Sequence, residues 1–276
     1  MGRGGYRPHL AGSWRPALAA VACMGVVGAG PVLAGPAVSQ ARPVLHPNHF
    51  APPSSSSTSA GWSSSNWSGY AQTGSTYHSI TGRWAVPSVS PTSGSAYSAA
   101  WIGIDGFSNN SLIQTGTEQD YYSGSAHYAV WWTTSAQSFI EQTINQPVGA
   151  NDQMSASITQ QSGTTTWTIV LQDVTRNWTF TKSLTYTGPG ASAEWIMEAP
   201  TVGGRVANLA VYHSPTTFDP GTVNGGNPGL LSSQGGDLVV RVRHGYQAVS
   251  VPSAPDSDTD GFNMSYGSQA PAPPAS

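Results

Sequence analysis

An all-β chain, folded as a sandwich of two packed antiparallel sheets, is what the amino-acid sequence predicts. Three observations carry the prediction. Apolar residues recur with a period of two: Met154, Ala156 and Ile158; Trp167, Ile169 and Leu171; Phe262, Met264 and Tyr266. Glycine-containing turns separate such runs, at Ser162-Gly163, Gly188-Pro189-Gly190, Gly203-Gly204, Gly225-Gly226 and Gly235-Gly236. No long segment beyond the N-terminal leader carries a 3.6-residue period with helix caps.

The composition agrees. Only 8% of the 276 residues are charged, against about 25% in an ordinary globular protein, yet 10% are aromatic. Low charge here does not mean disorder. The net charge is −3 and there is no basic run, which excludes nucleic-acid binding, because phosphate neutralisation needs clustered Lys and Arg. From Arg42 onward 7 basic residues face 13 acidic ones, a net −6. The surface is therefore mostly neutral and polar. It has few ion pairs to lose in acid, and the composition is compatible with acid tolerance.

Taken in order, the chain opens with Arg3, Arg7 and Arg15 ahead of an apolar stretch from Pro16 to Gly35. This is the pattern of an export signal over residues 1–41, with small-residue cleavage sites at Val32-Leu33-Ala34 and Ser39-Gln40-Ala41. Gly25, Gly28 and Gly30 break the stretch and argue against a membrane anchor. The single cysteine, Cys23, lies inside it, so the mature chain does without disulfides. Residues 42–65, with Pro52-Pro53 and Ser54 to Ser57, read as a disordered linker or prosegment. The folded domain is expected over 66–268. The tail 269–276, rich in Pro and Ala, is expected to be disordered.

Within the domain, Ile102 and Ile104 share the core face of a strand, and Trp101 and Asp105 share the other. They suit either a cleft floor or an ordinary strand with a rim Asp. Gln114-Thr115-Gly116-Thr117 follows, offering a neutral amide donor. Only four Glu exist: Glu118, Glu141, Glu194 and Glu198. Glu194 lies in the apolar strand Ala193 to Glu198 and shares a face with Ile196 and Glu198. It is read either as a satisfied or rim-exposed carboxylate, or as part of a polar cleft lined by Trp. Leu238 to Val242 is an apolar run broken only by Arg241.

Metal chemistry finds no HExxH or CxxC, and His46 and His49 fall in the prosegment. Asp256, Asp258 and Asp260 read as a solvated acidic turn rather than a cation site, because the closing Glu of an EF-hand loop is missing. There is no G-x-S-x-G elbow and no mature cysteine nucleophile.

Five segments, in this order, resemble the glutamic peptidases, or eqolisins: Asn66-Trp67-Ser68-Gly69; Trp84 to Ser88; Ala100 to Gly106; Gln114-Thr115-Gly116; and Ala193 to Glu198. The resemblance spans about Asn66 to Phe218. It implies a secreted acid endopeptidase on a lectin-like, concanavalin-like jelly roll of two curved sheets. It implies Gln114 and Glu194 as the catalytic pair, supported by Trp101 and Asp105, with Trp67, Thr115 and Gly116 lining the cleft. One departure stands out. The family's aromatic-Glu element after the QTG motif is replaced by Tyr128 to Thr133, with no Glu. The chemistry implied needs no metal or organic cofactor: Glu194 serves as general base on a water, and Gln114 donates to the oxyanion. The expected partners are polypeptide substrates, with no nucleic acid and no membrane once the leader is gone, and the chain is expected to be a monomer. Two rivals remain from other classes. One is a carbohydrate-binding sandwich using exposed Trp. The other is a glycoside hydrolase, which needs two carboxylates about 5–10 Å apart.

Overall fold

The computed structural model describes Met1, residues 43–52 and residues 61–276. The expected leader, its cleavage sites and Cys23 lie outside these. The strands are, in chain order, β1 (Val44–Leu45), β2 (Trp62–Ser64), β3 (Trp67–Thr73), β4 (Ser79–Ala85), β5 (Ala99–Ile104), β6 (Ile113–Tyr122) and β7 (Ser125–Thr134). There follow β8 (Gln142–Ile144), β9 (Gln153–Gln160), β10 (Thr166–Asp173), β11 (Trp178–Thr185), β12 (Ser192–Glu198), β13 (Thr201–Val202) and β14 (Arg205–Val206). The last are β15 (Thr216–Phe218), β16 (Thr222–Val223), β17 (Gly235–Val242), β18 (Gly245–Pro252) and β19 (Phe262–Tyr266). Among the described residues the only helical pieces are two single 3₁₀ turns, Ser135–Gln137 and Ser232–Gln234.

Hydrogen bonds link most strands in the order β11-β10-β9-β4-β15-β19-β18-β17-β3-β12-β5-β6-β7-β8. The path doubles back, so that β4, β9 and β10 lie over β12, β5 and β6. The approach is close. A methyl on Gly82 of β4 would come within 2.7 Å of Ile102 Cγ2 and 2.9 Å of Trp195 Cδ1. Two indole N–H groups cross between the layers: Trp195 Nε1 donates to Thr81 O at 2.8 Å, and Trp84 Nε1 to Thr117 Oγ1 at 3.1 Å. This is the expected β-sandwich.

The alternation read in the sequence decides what each strand buries. Trp167, Ile169 and Leu171 of β10, and Met154, Ala156 and Ile158 of β9, enter the core between the layers. Six tryptophans are buried, and they divide evenly. Trp84, Trp167 and Trp195 join that core, whereas Trp67, Trp101 and Trp131 form a second cluster with Ile196 and Leu112. Each such ring hides roughly 150–250 Å², about 4–6 kcal/mol of burial. The second cluster is the floor of a cleft on the far face of β3, β12, β5, β6 and β7.

Three stretches differ from their sequence reading. Residues 43–52 and 61–65, within the stretch expected as unstructured linker, contain β1, which pairs with β13, β2, which pairs with β17, and the fully buried His46 and Ser64. The tail returns to β19, where Asn263 Nδ2 donates to Ala272 O at 2.9 Å. The acidic turn is not fully solvated. Asp256 is buried and accepts from Asp260 N and Gly261 N, and ligand atoms of Asp219, Asp256 and Asp260 lie within 4.8 Å of one another.

Candidate active site

Directly opposed residues in a sheet share a face, so the register fixes which side chains meet in the cleft. Glu194 on β12 pairs with Gly103 on β5, and Gly103 pairs with Gln114 on β6. Glu194, Gly103 and Gln114 therefore form one row across three strands. The two polar residues stand about 10 Å apart at the backbone, two strand spacings. Between them the row has no side chain. A methyl on Gly103 would come within 2.8 Å of Trp101 Cζ3 and 3.4 Å of Gln114 Cβ.

The next row is Ile196, Trp101, Gly116 and Trp131. Gly116 lets β5 approach closely, since a methyl there would collide with Ala100 O and sit 2.5 Å from Trp101 Cβ. The third row is Trp67, Glu198, Ala99 and Glu118. Trp101 Nε1 donates to Glu198 Oε2 at 2.8 Å, and the Trp67 ring meets Trp101 edge-on at 4.8 Å.

Residues 43–52 run through this cleft as a strap. Gln114 Nε2 donates to the backbone carbonyl of His46 at 2.6 Å. The His46 ring stacks on Trp131, centroids 3.6 Å apart and planes at 1°. Its Nδ1 lies 3.0 Å from Glu198 Oε2 and its Nε2 3.6 Å from Glu118 Oε1. On one side the strap is held by His46 N donating to Phe139 O and Glu141 N donating to Val44 O. On the other, His49 N donates to Gly106 O, Phe50 N to Asn66 Oδ1, and Asn66 Nδ2 to Asn48 O.

Glu194 is fully buried, and neither carboxylate oxygen has a hydrogen-bond partner. Burial lifts its carboxyl well above the usual carboxylate range, and the Asp105 charge adds to this. Glu118 is raised too, by burial first and then by Asp120 and Glu141. Burial also raises Glu198, against the opposing pull of His46 and Trp101.

Of the residues singled out from sequence, Gln114, Glu194, Trp101, Trp67 and Gly116 come together on this face. Thr115 does not. Alternation turns it to the other face of β6, where its hydroxyl donates to Trp131 O at 2.7 Å. Asp105 does not project into the cleft either, because β5 ends at Ile104 and Asp105 has φ 69°. It accepts from Tyr186 Oη at 2.7 Å, Gly190 N at 2.9 Å, Ala191 N at 2.7 Å and Asn109 Nδ2 at 2.9 Å. It ties the loop ahead of β12 to the end of β5, and so fixes the strand that carries Glu194.

Sequence reasoning missed His46, Trp131 and the roles of Glu118 and Gly103. Glu118 was accessible, since it lies four residues after Gln114 on the same strand face. No sequence signal marked His46, which sits in a stretch of linker composition. A separate open cavity of about 750 Å³, lined by Leu238, Arg241, Tyr246 and Tyr266 among others, holds no carboxylate or histidine.

The chain is 28% identical over 195 residues to aspergillopepsin-2 of Aspergillus niger, a match covering 59% of this chain and 66%, just under two thirds, of that protein. Its fold is similar to that of scytalido-glutamic peptidase with a transition-state analogue inhibitor, with a TM-score of 0.60, 23% identity, and 73% of this chain and 98% of that one covered. It is also similar to SCP-B, a member of the eqolisin family, in a complex with the tripeptide Ala-Ile-His, at a TM-score of 0.54, 23% identity and the same coverage. The peptidase A4 family matches residues 65–258, across most of the domain that carries the row of Glu194, Gly103 and Gln114, and the chain belongs to that family.

Proposed function

We propose that the chain is a secreted glutamic endopeptidase that hydrolyses peptide bonds in mild acid with Glu194 and Gln114. One observation carries the reading. The Gln114 amide already donates to a peptide carbonyl, that of His46, while an unpartnered carboxylate faces it across the side-chain gap at Gly103. In the reaction, Glu194 removes a proton from a water held over Gly103. The water oxygen bonds to the scissile carbonyl carbon. Gln114 N–H donates to the oxyanion. The C–N bond then breaks as Glu194 returns its proton to the departing nitrogen, which leaves the carboxylate ionised for the next cycle. A free Glu titrates near 4.3, so one group serves as base and then acid in mildly acidic medium.

The strap gives this reading a resting state. It fills the carbonyl position on Gln114 while burial keeps the Glu194 carboxyl raised. Removing the strap admits water and returns the carboxyl toward its ordinary range. The sequence expectation of a prosegment up to about Ser65 shortens to the residues before Gly61, because Trp62–Ser64 pair with β17, and that shorter stretch leaves before turnover. The tripeptide of the related SCP-B complex, Ala-Ile-His, has the same character as Val44-Leu45-His46: two aliphatic residues followed by His. A peptide as occupant also favours a peptidase over a carbohydrate-binding module or a glycoside hydrolase.

The test is incubation of the protein with a denatured protein substrate at pH 4 and pH 7, followed by N-terminal sequencing of the enzyme. Cleavage in acid, with a new N-terminus beyond the strap, is expected. An intact substrate at both values overturns the reading. Full activity with a start near Ala34 or Ala41 overturns the prosegment alone.

A further inference from the structure

The carbonyl held by Gln114 belongs to a residue whose side chain is enclosed, and that enclosure is chemically distinctive. We propose that Trp131, Glu198 and Glu118 form the pocket for the residue on the acyl side of the scissile bond, selecting histidine, arginine or lysine over neutral hydrophobic side chains. This rests on the reading of Gln114 as oxyanion donor, which sets the register.

The pocket is flat and acidic. Trp131 supplies a plane on which the His46 ring lies parallel at 3.6 Å. Glu198 and Glu118 meet the two ring nitrogens at its edge, at 3.0 and 3.6 Å. Glu141 stands beside them, with ligand atoms of His46, Glu118 and Glu141 all within 4.8 Å of one another. Glu198 is also anchored from the sheet, because Trp101 Nε1 donates to its Oε2.

The energetics follow from burial. Glu198 is fully buried and Glu118 nearly so, and even with His46 in place one oxygen of each has no hydrogen-bond partner. An apolar ring in the same space would stack on Trp131 but remove the imidazole contact from Glu198 Oε2, leaving Trp101 alone there, and would put no cation beside Glu118 Oε1. A guanidinium would do better. It is planar, stacks on indole and donates along its edge to carboxylates. Lysine matches the charge without the plane. The preceding residue, Leu45, faces a different setting, pairing with Thr201 and bridging to Ile140, neither of them charged. The selection is therefore confined to the residue whose carbonyl Gln114 holds.

Two measurements test the pocket, one of which needs no catalysis. In full-length chain carrying Glu194→Gln, amide hydrogen exchange over residues 44–50 reads how firmly the strap is seated. His46→Arg should keep protection within a few-fold, whereas His46→Ala and His46→Phe should lose about tenfold or more. Protection in His46→Phe equal to the parent overturns the proposal. In the second arm, full-length protein activated in mild acid is given peptides differing only at the residue before the cut. His, Arg or Lys should be cleaved about tenfold faster or more than Phe or Leu, and Glu198→Gln should shrink that ratio. Equal cleavage of all peptides also overturns the pocket. If no peptide is cut, the catalytic reading fails while the exchange arm still decides the pocket.

Discussion

Replacing Gly103 with alanine changes one hydrogen for a methyl, yet it is expected to abolish most activity. The methyl would enter the gap between Gln114 and Glu194 and press on the Trp101 ring, displacing the water's site and the indole that holds Glu198. Cleavage rate should fall by about a hundredfold, the effect of a small misplacement in a reacting geometry, with far-UV circular dichroism unchanged. Near-normal turnover would mean that the reacting water sits elsewhere. For the pair itself, Glu194→Gln keeps the shape and removes the base, so turnover should drop to near background. Gln114→Ala should cost on the order of 10²–10³ in rate, about 2.7–4 kcal/mol, as for other single oxyanion donors. Glu198→Gln should largely spare the cleavage of substrates with a neutral residue before the cut, because Glu198 lies two rows from Glu194 and meets the His46 ring rather than the carbonyl. Collapse in Glu198→Gln with survival in Glu194→Gln would reverse the two assignments. At this scale the sequence was informative where alternation held. Glu194 and Glu198 share a face as their four-residue spacing requires. Asp105 escaped the rule because it follows the strand's end, and Thr115 was placed in the cleft only by its membership of the QTG motif, against the alternation that turns it away.

Among the elements, β12 explains how a strand can be buried throughout, Glu included. Its core face lies under Gly82 and Thr81, and its cleft face under the strap. The long core strands were legible because burying one face imposes a two-residue period. The strap was not. It has the composition of a linker because it forms no core of its own. Its order comes from filling a groove whose walls are already rigid, and β1, β13 and β14 are two residues each, too short to show a period. The strap also carries its own protection. The bond after the held carbonyl leads to Pro47, whose nitrogen has no N–H to give the cleft. Pro47→Ala should make that bond a better substrate, so that acid-treated protein yields a new N-terminus at residue 47 earlier than the parent does. Mass spectrometry over a time course reads this. An unchanged pattern would show that the His46–Pro47 bond is not presented for cleavage.

The whole molecule is arranged for acid. Burial pushes Asp120 up to about 8, and burial with neighbouring acidic groups pushes Asp219 up to about 6; burial alone takes Asp237 to about 6. In each case the folded chain holds a proton that the unfolded chain has released, so stability falls as pH rises. The contribution is fully present below about pH 4 and is lost as pH rises through about 6 and then about 8, the values at which these groups ionise. Against this, the only Lys or Arg ion pairs among the described residues are those of Arg176 with Asp152 and Asp173, partly exposed and therefore weak. The melting temperature is expected to be highest near pH 4 and to decline toward pH 8, read by scanning calorimetry. A rise over that interval would contradict the balance of groups. Activity should also survive strong chelators, since Glu194 and Gln114 need no metal; loss of turnover restored by zinc would sink the mechanism.

Because the strap and the cleft belong to one chain, joined through only residues 53–60, the proposed prosegment is present at an effective concentration that for short tethers reaches millimolar. It can bind weakly and still occupy the site almost completely. On that proposed reading, cutting the tether makes the contact bimolecular, and dilution empties the cleft. The proposed activation is then a one-way step set by a single cut and the surrounding volume.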